Sequence, residues 1–145
     1  MRHMPVLAEV MTAFPVHVDE QMPLVKAAEV MREHGCHHLP VMDDANQVVG
    51  LLTTEELRLA ETPGHSIEDA GELTAGDLCR RQLKQVDLHT RLDVVLMGMA
   101  DQGINAVLVL KQDKLAGILT SQDACRAFAL WLQKEYLPDD DPGVA

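Results

Sequence analysis

The stretch VVGLLT at residues 48–53 recurs as LAGILT at residues 115–120. On both sides of this stretch, the order of matched residues is preserved over two whole copies of one unit: Leu24 with Leu92, Gly35 with Gly103, Gly50 with Gly117, and Ala60 with Ala127. The shift falls from 68 to 67 residues in a polar stretch, residues 43–47 against 111–113, where a hairpin loop tolerates a change of length. Two copies are too few for a solenoid, so the repeat predicts two half-domains that share one core.

Each copy predicts the same order of elements. A short extended piece, at His17-Val18 or Gln85-Val86, precedes a helix whose apolar residues recur at i, i+3, i+4 and i+7. Two strands and a second helix follow, with predicted strands at Cys36–Met42, Val48–Leu52, Asn105–Leu110 and Leu115–Leu119, and second helices after Thr53 and Thr120. We therefore predict an α+β fold of two β-α-β-β-α repeats, related by a pseudo-two-fold, with small sheets packed against helices.

The ends of the first helix in each copy carry local signals. Gly35 and Gly103 lie where a helix C-cap needs a left-handed residue. Pro23 suits a first helical position, and Thr90 suits an N-cap. These residues fix the predicted length of both helices.

The predicted division of the chain is 5–60 for the first repeat, 61–76 for a linker, 77–132 for the second repeat, and 133–145 for the helix end and acidic tail. The last helix is predicted from Ser121 to Tyr136 and carries large apolar residues on one side. Such a surface is often a subunit contact, although packing on its own domain is an alternative.

Composition narrows the classes of function. The 145 residues carry a formal net charge of −11, which disfavours nucleic acid and anionic membranes as partners. No apolar run approaches the roughly 20 residues that span a bilayer. Aromatic residues make up only 3% of the chain, so we expect an aliphatic core. Three widely spaced cysteines indicate reduced thiols, and we expect a cytoplasmic protein.

The doubled motifs resemble a tandem pair of CBS (cystathionine β-synthase) domains, often called a Bateman module. The matching pieces are EVMT at 9–12, CHHLPVMD at 36–43, VVGLLT at 48–53 and LAGILTSQD at 115–123, and the similarity covers roughly residues 5–132. The resemblance implies a regulatory, non-catalytic fold that binds adenosine-containing ligands between its repeats, dimerises, and controls another protein. The chain has no room for a fused enzyme, so it is similar to the stand-alone type.

The resemblance also implies where a ligand would bind. In the family, the T-x-x-D segment of one repeat meets the entry loop and middle strand of the other repeat. Carried over to this sequence, the first cleft takes Thr12, Val16, His37, His38, Thr120 and Asp123. The second cleft takes Thr53 and Glu56 with Lys84, Asn105 and Ala106. Because Glu56 stands where the family has Asp, we favour the first cleft.

The residue types of the first cleft fit such a ligand. Thr120 and Asp123 open a helix, whose N–H groups and positive dipole end favour anions, and the carboxylate can accept bonds from a ribose diol. Val16 provides an apolar wall for adenine. His38 stands where phosphate-binding family members carry Arg, so phosphate binding would be weaker and dependent on pH, and AMP or S-adenosylmethionine is favoured over ATP. The structural alternative is that both T-x-x-[DE] segments only cap helices.

Other classes of site find less support. His34, Cys36, His37 and His38 could suggest a metal, yet strand alternation separates His37 from its neighbours and no recognised zinc spacing is present. Catalysis is disfavoured because Ser66 and Ser121 lie in no nucleophile elbow, and Cys36 and His37 point apart. Arg80 and Arg81 could lower the pKa of Cys79, but a surface or half-buried thiol is favoured.

The sequence therefore predicts a non-enzymatic regulatory module that requires no cofactor, with AMP, ATP or S-adenosylmethionine as the candidate ligand. It also predicts a homodimer that signals to a separate protein. A ligand-free dimerisation scaffold is the alternative function.

Overall fold

The computed structural model describes residues 3–61 and 73–138. Its helices are α1 Leu7–Val10, α2 Leu24–His34, α3 Thr54–Ala60, α4 Ala75–Leu78, α5 Leu92–Gln102 and α6 Ser121–Tyr136. Its strands are β1 Thr12–Ala13, β2 Val18–Asp19, β3 His38–Met42, β4 Val48–Thr53, β5 Gln85–Asp87, β6 Ala106–Lys111 and β7 Lys114–Thr120. None of the helices in these two ranges is long and apolar enough to cross a bilayer.

The predicted repeat is confirmed, since β2-α2-β3-β4-α3 is followed by β5-α5-β6-β7-α6. The described strands form two sheets, a first of order β2-β3-β4 and a second of order β1-β7-β6-β5. In each sheet a parallel pair, β2 with β3 or β5 with β6, is joined to an antiparallel hairpin. The fold is the α+β arrangement that the sequence predicts.

The helix C-caps are confirmed and two N-terminal assignments are corrected. Gly35 and Gly103 have φ of 62° and 64°, the left-handed region that glycine adopts most readily. Pro23 is the N-cap of α2 rather than its first helical residue. The N-cap of α5 is Arg91 and not Thr90, because the Thr90 amide donates to the carbonyl of Asp87 in a turn that closes β5.

The first long strand of each copy begins later than predicted, at His38 instead of Cys36 and at Ala106 instead of Asn105. The amide of Cys36 donates to the carbonyl of Met31, 3.1 Å away, and so belongs to the C-terminal turn of α2. The strand therefore starts only after the helix cap is complete. The second long strands extend to Thr53 and Thr120.

The segment that enters each repeat packs on the other repeat's sheet. We call residues 7–13 and 74–80 the entry segments. In the first of them, β1 pairs antiparallel with β7, opposite Ile118. In the second, Arg80 forms a two-way backbone bridge with Leu51 of β4, with both N···O distances at 2.9 Å. The two repeats therefore exchange their entry segments.

Glycine on the receiving strand makes this close approach feasible. A Cβ added at Gly50 would lie 2.7 Å from the carbonyl oxygen of Arg80, and one at Gly117 would lie 2.9 Å from that of Thr12. Both distances are shorter than real Cβ contacts allow. The two glycines that define the repeat are therefore the places where the exchanged segments cross the strands.

The core is aliphatic, as predicted. One cluster buries α2 against the first sheet, and a second buries α5 against the second sheet. Each cluster contains residues of the exchanged segments, Ala75 and Cys79 in the first and Leu7 in the second. Leu51, Leu108 and Ile118 form a third cluster that joins the sheets. The two half-domains are therefore bound together by burial of apolar surface at three places.

The predicted linker and tail fall largely outside the described residues, which leave out 62–72 and 139–145. The end of the predicted linker, from Thr74 to Gly76, forms the start of α4. Thr74 caps this helix in a capping box with Asp77.

Candidate functional site

A cavity of about 320 Å³ lies between the two repeats and is the first cleft. Its lining includes all six residues that the resemblance to CBS domains assigns to it: Thr12, Val16, His37, His38, Thr120 and Asp123. Thr12 lies in β1 and Val16 between β1 and β2, while Thr120 and Asp123 lie at the β7–α6 junction. His37 comes directly before β3, and His38 is its first residue. The exchange of entry segments brings Thr12 and Asp123, which are 111 positions apart, to one site.

The β7–α6 junction holds its carboxylate by a capping box. The amide of Thr120 donates to Oδ2 of Asp123 at 3.0 Å, and the amide of Asp123 donates to Oγ1 of Thr120 at 3.2 Å. Asp123 is only 8% exposed. The capping alternative raised by the sequence is therefore real, and it engages one of the two carboxylate oxygens.

The other carboxylate oxygen of Asp123 has longer contacts. Its Oδ1 accepts from Oγ1 of Thr12 at 3.4 Å and lies 3.5 Å from the guanidinium of Arg126. Both distances exceed those of strong hydrogen bonds. A hydroxyl group of a ligand in the cleft could therefore compete for this oxygen.

Arg126 lines the same cavity and is a residue that the sequence reasoning missed. The spacing in the sequence could have predicted it, because Arg126 follows Asp123 by three positions and residues three apart on a helix lie on one face. It adds a permanent positive charge beside the two histidines. The cleft therefore contains groups that suit both a ribose and an anion.

His38 lies between two cavities, since it lines the first cleft and the second. Its half-burial lowers the pKa of the imidazole and the nearby His37 lowers it further, while Glu56 and Asp123 oppose the shift. The imidazole is therefore predominantly neutral near pH 7.

The alternation argument against a metal at this position needs correction, because β3 begins at His38. Cys36, His37 and His38 all line the first cleft, although only His38 is a strand residue. Even so, the two described ranges contain no group of three or more His, Cys, Asp or Glu side chains placed to hold a metal ion.

The second cleft, a cavity of about 350 Å³, is lined by four of its five assigned residues: Thr53, Lys84, Asn105 and Ala106. The fifth, Glu56, is 5% exposed and does not line the cavity. It closes a capping box with Thr53 and forms an ion pair with Arg80. The second carboxylate is thus neutralised within the protein.

Arg80 is the second residue that the sequence reasoning missed. The 68-residue shift places Arg80 on Thr12, which marks the two residues as equivalent but does not by itself show that Arg80 reaches Glu56. Burial raises the pKa of Glu56, but bonds from Thr53 and Arg80 outweigh burial and leave the pKa below its usual value. The bond to Glu56 in turn raises the pKa of Arg80.

Cys36 and Cys79 do not have the properties of activated nucleophiles. Burial raises the pKa of Cys36 and of Cys79. The idea that neighbouring arginines lower the pKa of Cys79 is therefore wrong in its net direction, although Arg81 does act in that sense. Both thiols are less reactive than an ordinary exposed cysteine.

Comparison with known proteins agrees with this geometry. The family model for the CBS domain matches residues 7–62 and 75–130. Hypoxic response protein 1 of Mycobacterium tuberculosis is 30% identical over 118 residues, which are 81% of each chain. A crystal structure of Hypoxic Response Protein I with two coordinated zinc ions has a TM-score of 0.69 and 27% identity, and covers 84% of this chain and 98% of that one.

A third comparison concerns a bound nucleotide. The crystal structure of CBSX2 in complex with AMP has a TM-score of 0.72 and 25% identity, and covers 88% of this chain and 98% of that one. Two adjacent matches to one family model account for most of the sequence, and both sheets and their flanking helices fall within them except for the end of α6. This chain is a CBS domain pair and belongs to the CBS domain family.

Proposed function

We propose that this CBS pair is a non-catalytic sensor that binds an adenosine nucleotide in the first cleft and signals to a separate protein. The observation that carries the proposal is the convergence of six side chains, from both repeats, on one cavity. CBS domain pairs are generally regulatory modules, and the related CBSX2 was crystallised with AMP.

The ribose would bind at Asp123. One carboxylate oxygen is held in the capping box, and Oδ1 faces the longer contacts to Thr12 and Arg126. A ribose diol can donate two hydrogen bonds, which would replace the weak contact from Thr12. The apolar side chains of Val16 and Ile118 line the same cavity and provide a surface for the adenine ring.

The phosphate would bind near Arg126 and the two histidines. Arg126 supplies the permanent positive charge, while His38 gains charge only as the phosphate raises its pKa or as the pH falls. One guanidinium beside the predominantly neutral imidazole of His38 suits one phosphate better than three in a protein of net charge −11. We therefore favour AMP over ATP, with S-adenosylmethionine as the cationic alternative.

We further propose a homodimer in a reducing compartment such as the cytoplasm. The three cysteines all lie in the described residues and form no disulfide with one another. The excess of acidic residues argues against nucleic acid as the regulated partner.

Thermal unfolding tests the sensor. We expect AMP at one hundred times its dissociation constant to stabilise the chain by about 2.7 kcal/mol, a shift of several degrees in Tm. Asp123→Ala should lower the AMP affinity at least about 10-fold, because it removes hydrogen bonds to a charged acceptor. Asp101→Ala, which removes an exposed carboxylate from α5, is the matched control and should retain the full shift.

Each variant is compared with its own ligand-free Tm, because Asp123→Ala also removes a helix cap. ATP, GTP, S-adenosylmethionine and NAD are measured beside AMP. No shift with any adenosine compound would favour the ligand-free scaffold. An equal shift in Asp123→Ala would exclude the first cleft as the binding site.

A further inference from the structure

Phe14 has a backbone conformation that its residue type disfavours. Its φ is 47°, in the left-handed region that bulky residues rarely adopt. Glycine aside, the other described residues with positive φ are Asn46, Gln112 and Asp113, which lie in the two hairpin loops, where a left-handed residue closes the turn. Phe14 lies instead between β1 and β2, which belong to different sheets. It also precedes Pro15, and a proline favours an extended residue before it.

The second copy shows that the repeat does not impose this conformation. The 68-residue shift places Phe14 on Gln82, which is not among the described residues with positive φ. Gln82 lines the second cleft, as does Arg80 two positions before it. Phe14 does not line the first cleft, although Thr12 and Pro15 on either side of it do. The same position therefore faces the cleft in one repeat and is turned away from it in the other.

Strand alternation explains this difference. Thr12 faces the first cleft, where its hydroxyl contacts Asp123. Side chains two positions apart on an extended chain point to the same side, so an extended Phe14 would point toward the cleft as well. The left-handed backbone interrupts the alternation after Ala13 and leaves Phe14 87% exposed. An aromatic ring is thus held in solvent directly beside the cleft.

A nucleotide in the first cleft would remove both the exposure of this ring and the strain of its backbone. Aromatic side chains stack on the flat faces of nucleobases, and this stacking buries both surfaces. Val16 and Ile118 provide the apolar surface proposed for the adenine, and Val16 follows Phe14 by only two positions. The ring is therefore next to the place where the base would bind.

We infer that Phe14 turns toward the first cleft when a nucleotide binds, stacks on its purine base, and so helps to select the base. The change breaks the bond that the Phe14 amide donates to the carbonyl of Ala116 at 3.1 Å, and it relieves the left-handed φ. The inference rests on the proposed function and adds to it the residue that contacts the base.

Titration calorimetry of the full chain with AMP and with ribose 5-phosphate tests the stacking. Phe14→Asn removes the ring but keeps a residue type that tolerates the left-handed backbone. We expect it to lower the AMP affinity about 10-fold, and to change the affinity for ribose 5-phosphate, which has no base, by less than about 2-fold. Phe14→Tyr keeps the ring and should bind AMP as the wild type does.

Gln112→Gly is the matched control for backbone strain. It relieves a left-handed residue in the β6–β7 hairpin and lies in the lining of neither cleft. It should bind AMP with the affinity of the wild type. An unchanged AMP affinity in Phe14→Asn would overturn the inference. An equal loss for AMP and ribose 5-phosphate would do so as well, because Phe14 would then support the loop and not the base.

Fluorescence gives a direct readout of the contact. Trp131 is the only tryptophan of the chain, so the double variant Phe14→Trp, Trp131→Phe emits from position 14 alone. AMP should quench this emission, because the indole ring stacks on the base, whereas ribose 5-phosphate should not. Emission that stays constant while calorimetry shows AMP binding would mean that the ring remains in solvent.

Failure of the sensor would give a different result from failure of this inference. A wild type that binds no adenosine compound would overturn the proposed function, and the role of Phe14 with it. A wild type whose AMP binding is lost in Asp123→Ala but unchanged in Phe14→Asn would keep the sensor and overturn the role of Phe14 alone.

Discussion

The two clefts differ most at one pair of equivalent residues, Thr12 in the first and Arg80 in the second. Both residues come from an entry segment and both contact the capping carboxylate of the other repeat. Thr12 offers Asp123 a neutral hydroxyl at 3.4 Å, whereas Arg80 forms a charged pair with the buried Glu56. The same backbone therefore leaves one carboxylate weakly engaged and neutralises the other.

The repeat therefore builds two cavities that are not chemically equal. A ligand in the second cleft would have to compete with a guanidinium for Glu56. A ligand in the first cleft would compete only with long contacts to Asp123, from the Thr12 hydroxyl at 3.4 Å and the Arg126 guanidinium at 3.5 Å. The residue on the entry segment, and not the T-x-x-[DE] motif alone, distinguishes the two sites.

The largest effect is expected where the exchanged segment crosses β4. Gly50→Ala should lower the free energy of unfolding by about 3 kcal/mol, since the new Cβ meets the Arg80 backbone, which cannot move without breaking the bridge to Leu51. Gly117→Ala should cost about 1.5 kcal/mol, because two of its three nearest atoms belong to the flexible end of Met11, whereas those at Gly50 belong to the buried Cys79 and the Arg80 backbone.

Urea unfolding measures both substitutions. Gly98→Ala is the control, because its new Cβ would meet nothing within 4 Å and alanine favours the helix interior. It should stabilise the chain slightly. Equal costs at Gly50 and Gly117 would show that the two crossings are equivalent.

A smaller effect is expected from removing the cation of the second cleft. Arg80→Ala should destabilise the chain by about 2 kcal/mol, because it leaves Glu56 buried without its charged partner. The loss is smaller than for a fully buried ion pair because Arg80 is half exposed and solvent screens its charge. Thr12→Ala should cost only about 0.5 kcal/mol, because it removes one long neutral bond. Chemical unfolding at pH 7 measures the difference between them. Similar costs would contradict the chemical inequality of the clefts.

The smallest effect is a pH dependence specific to the second cleft. The folded-state pKa of Glu56 lies below its usual value near 4.5, so the unfolded chain binds the proton more readily than the folded one. The stability from this group is complete above about pH 4.5 and is lost as the pH falls through the folded-state pKa. In urea unfolding between pH 7 and pH 3, the free energy of unfolding of Glu56→Gln should therefore fall less with decreasing pH than that of the wild type.

Asp93→Asn is the control for this measurement. Its carboxylate bonds Arg91 on the surface, and although this bond lowers the pKa of Asp93, solvent screens the pair. The pH dependence of the free energy of unfolding should differ less from the wild type in Asp93→Asn than in Glu56→Gln. An acid loss in Glu56→Gln identical to that of the wild type would mean that Arg80 does not stabilise the ionised Glu56.

Much of the fold was predictable because the repeat restates the same local signals twice. The left-handed glycines and the capping residues act within a few positions of themselves, so Gly35, Gly103, Thr53 and Thr120 could be assigned from the sequence. The start of β3 could not, because it depends on a backbone bond between Cys36 and Met31 that closes the preceding helix.

The candidate site was less predictable than the fold from local sequence signals. Its six residues could be named only through resemblance to the CBS family, and the structure does bring them to one cavity. Whether they bind a ligand stays a prediction. The repeat shift tells which residues are equivalent but not which sheet an entry segment joins. The contact of Arg80 with Glu56, across 24 positions, was therefore missed.

The exchange of entry segments has a consequence for how such a chain could have arisen. A polypeptide with one repeat alone would leave its sheet without the segment that crosses the glycine, and it could obtain that segment only from a second molecule. Two identical molecules would complete each other reciprocally, just as residues 7–13 and 74–80 do within this chain. Duplication and fusion of such a gene would convert an obligate pair into a single molecule and would free each half to change its chemistry independently.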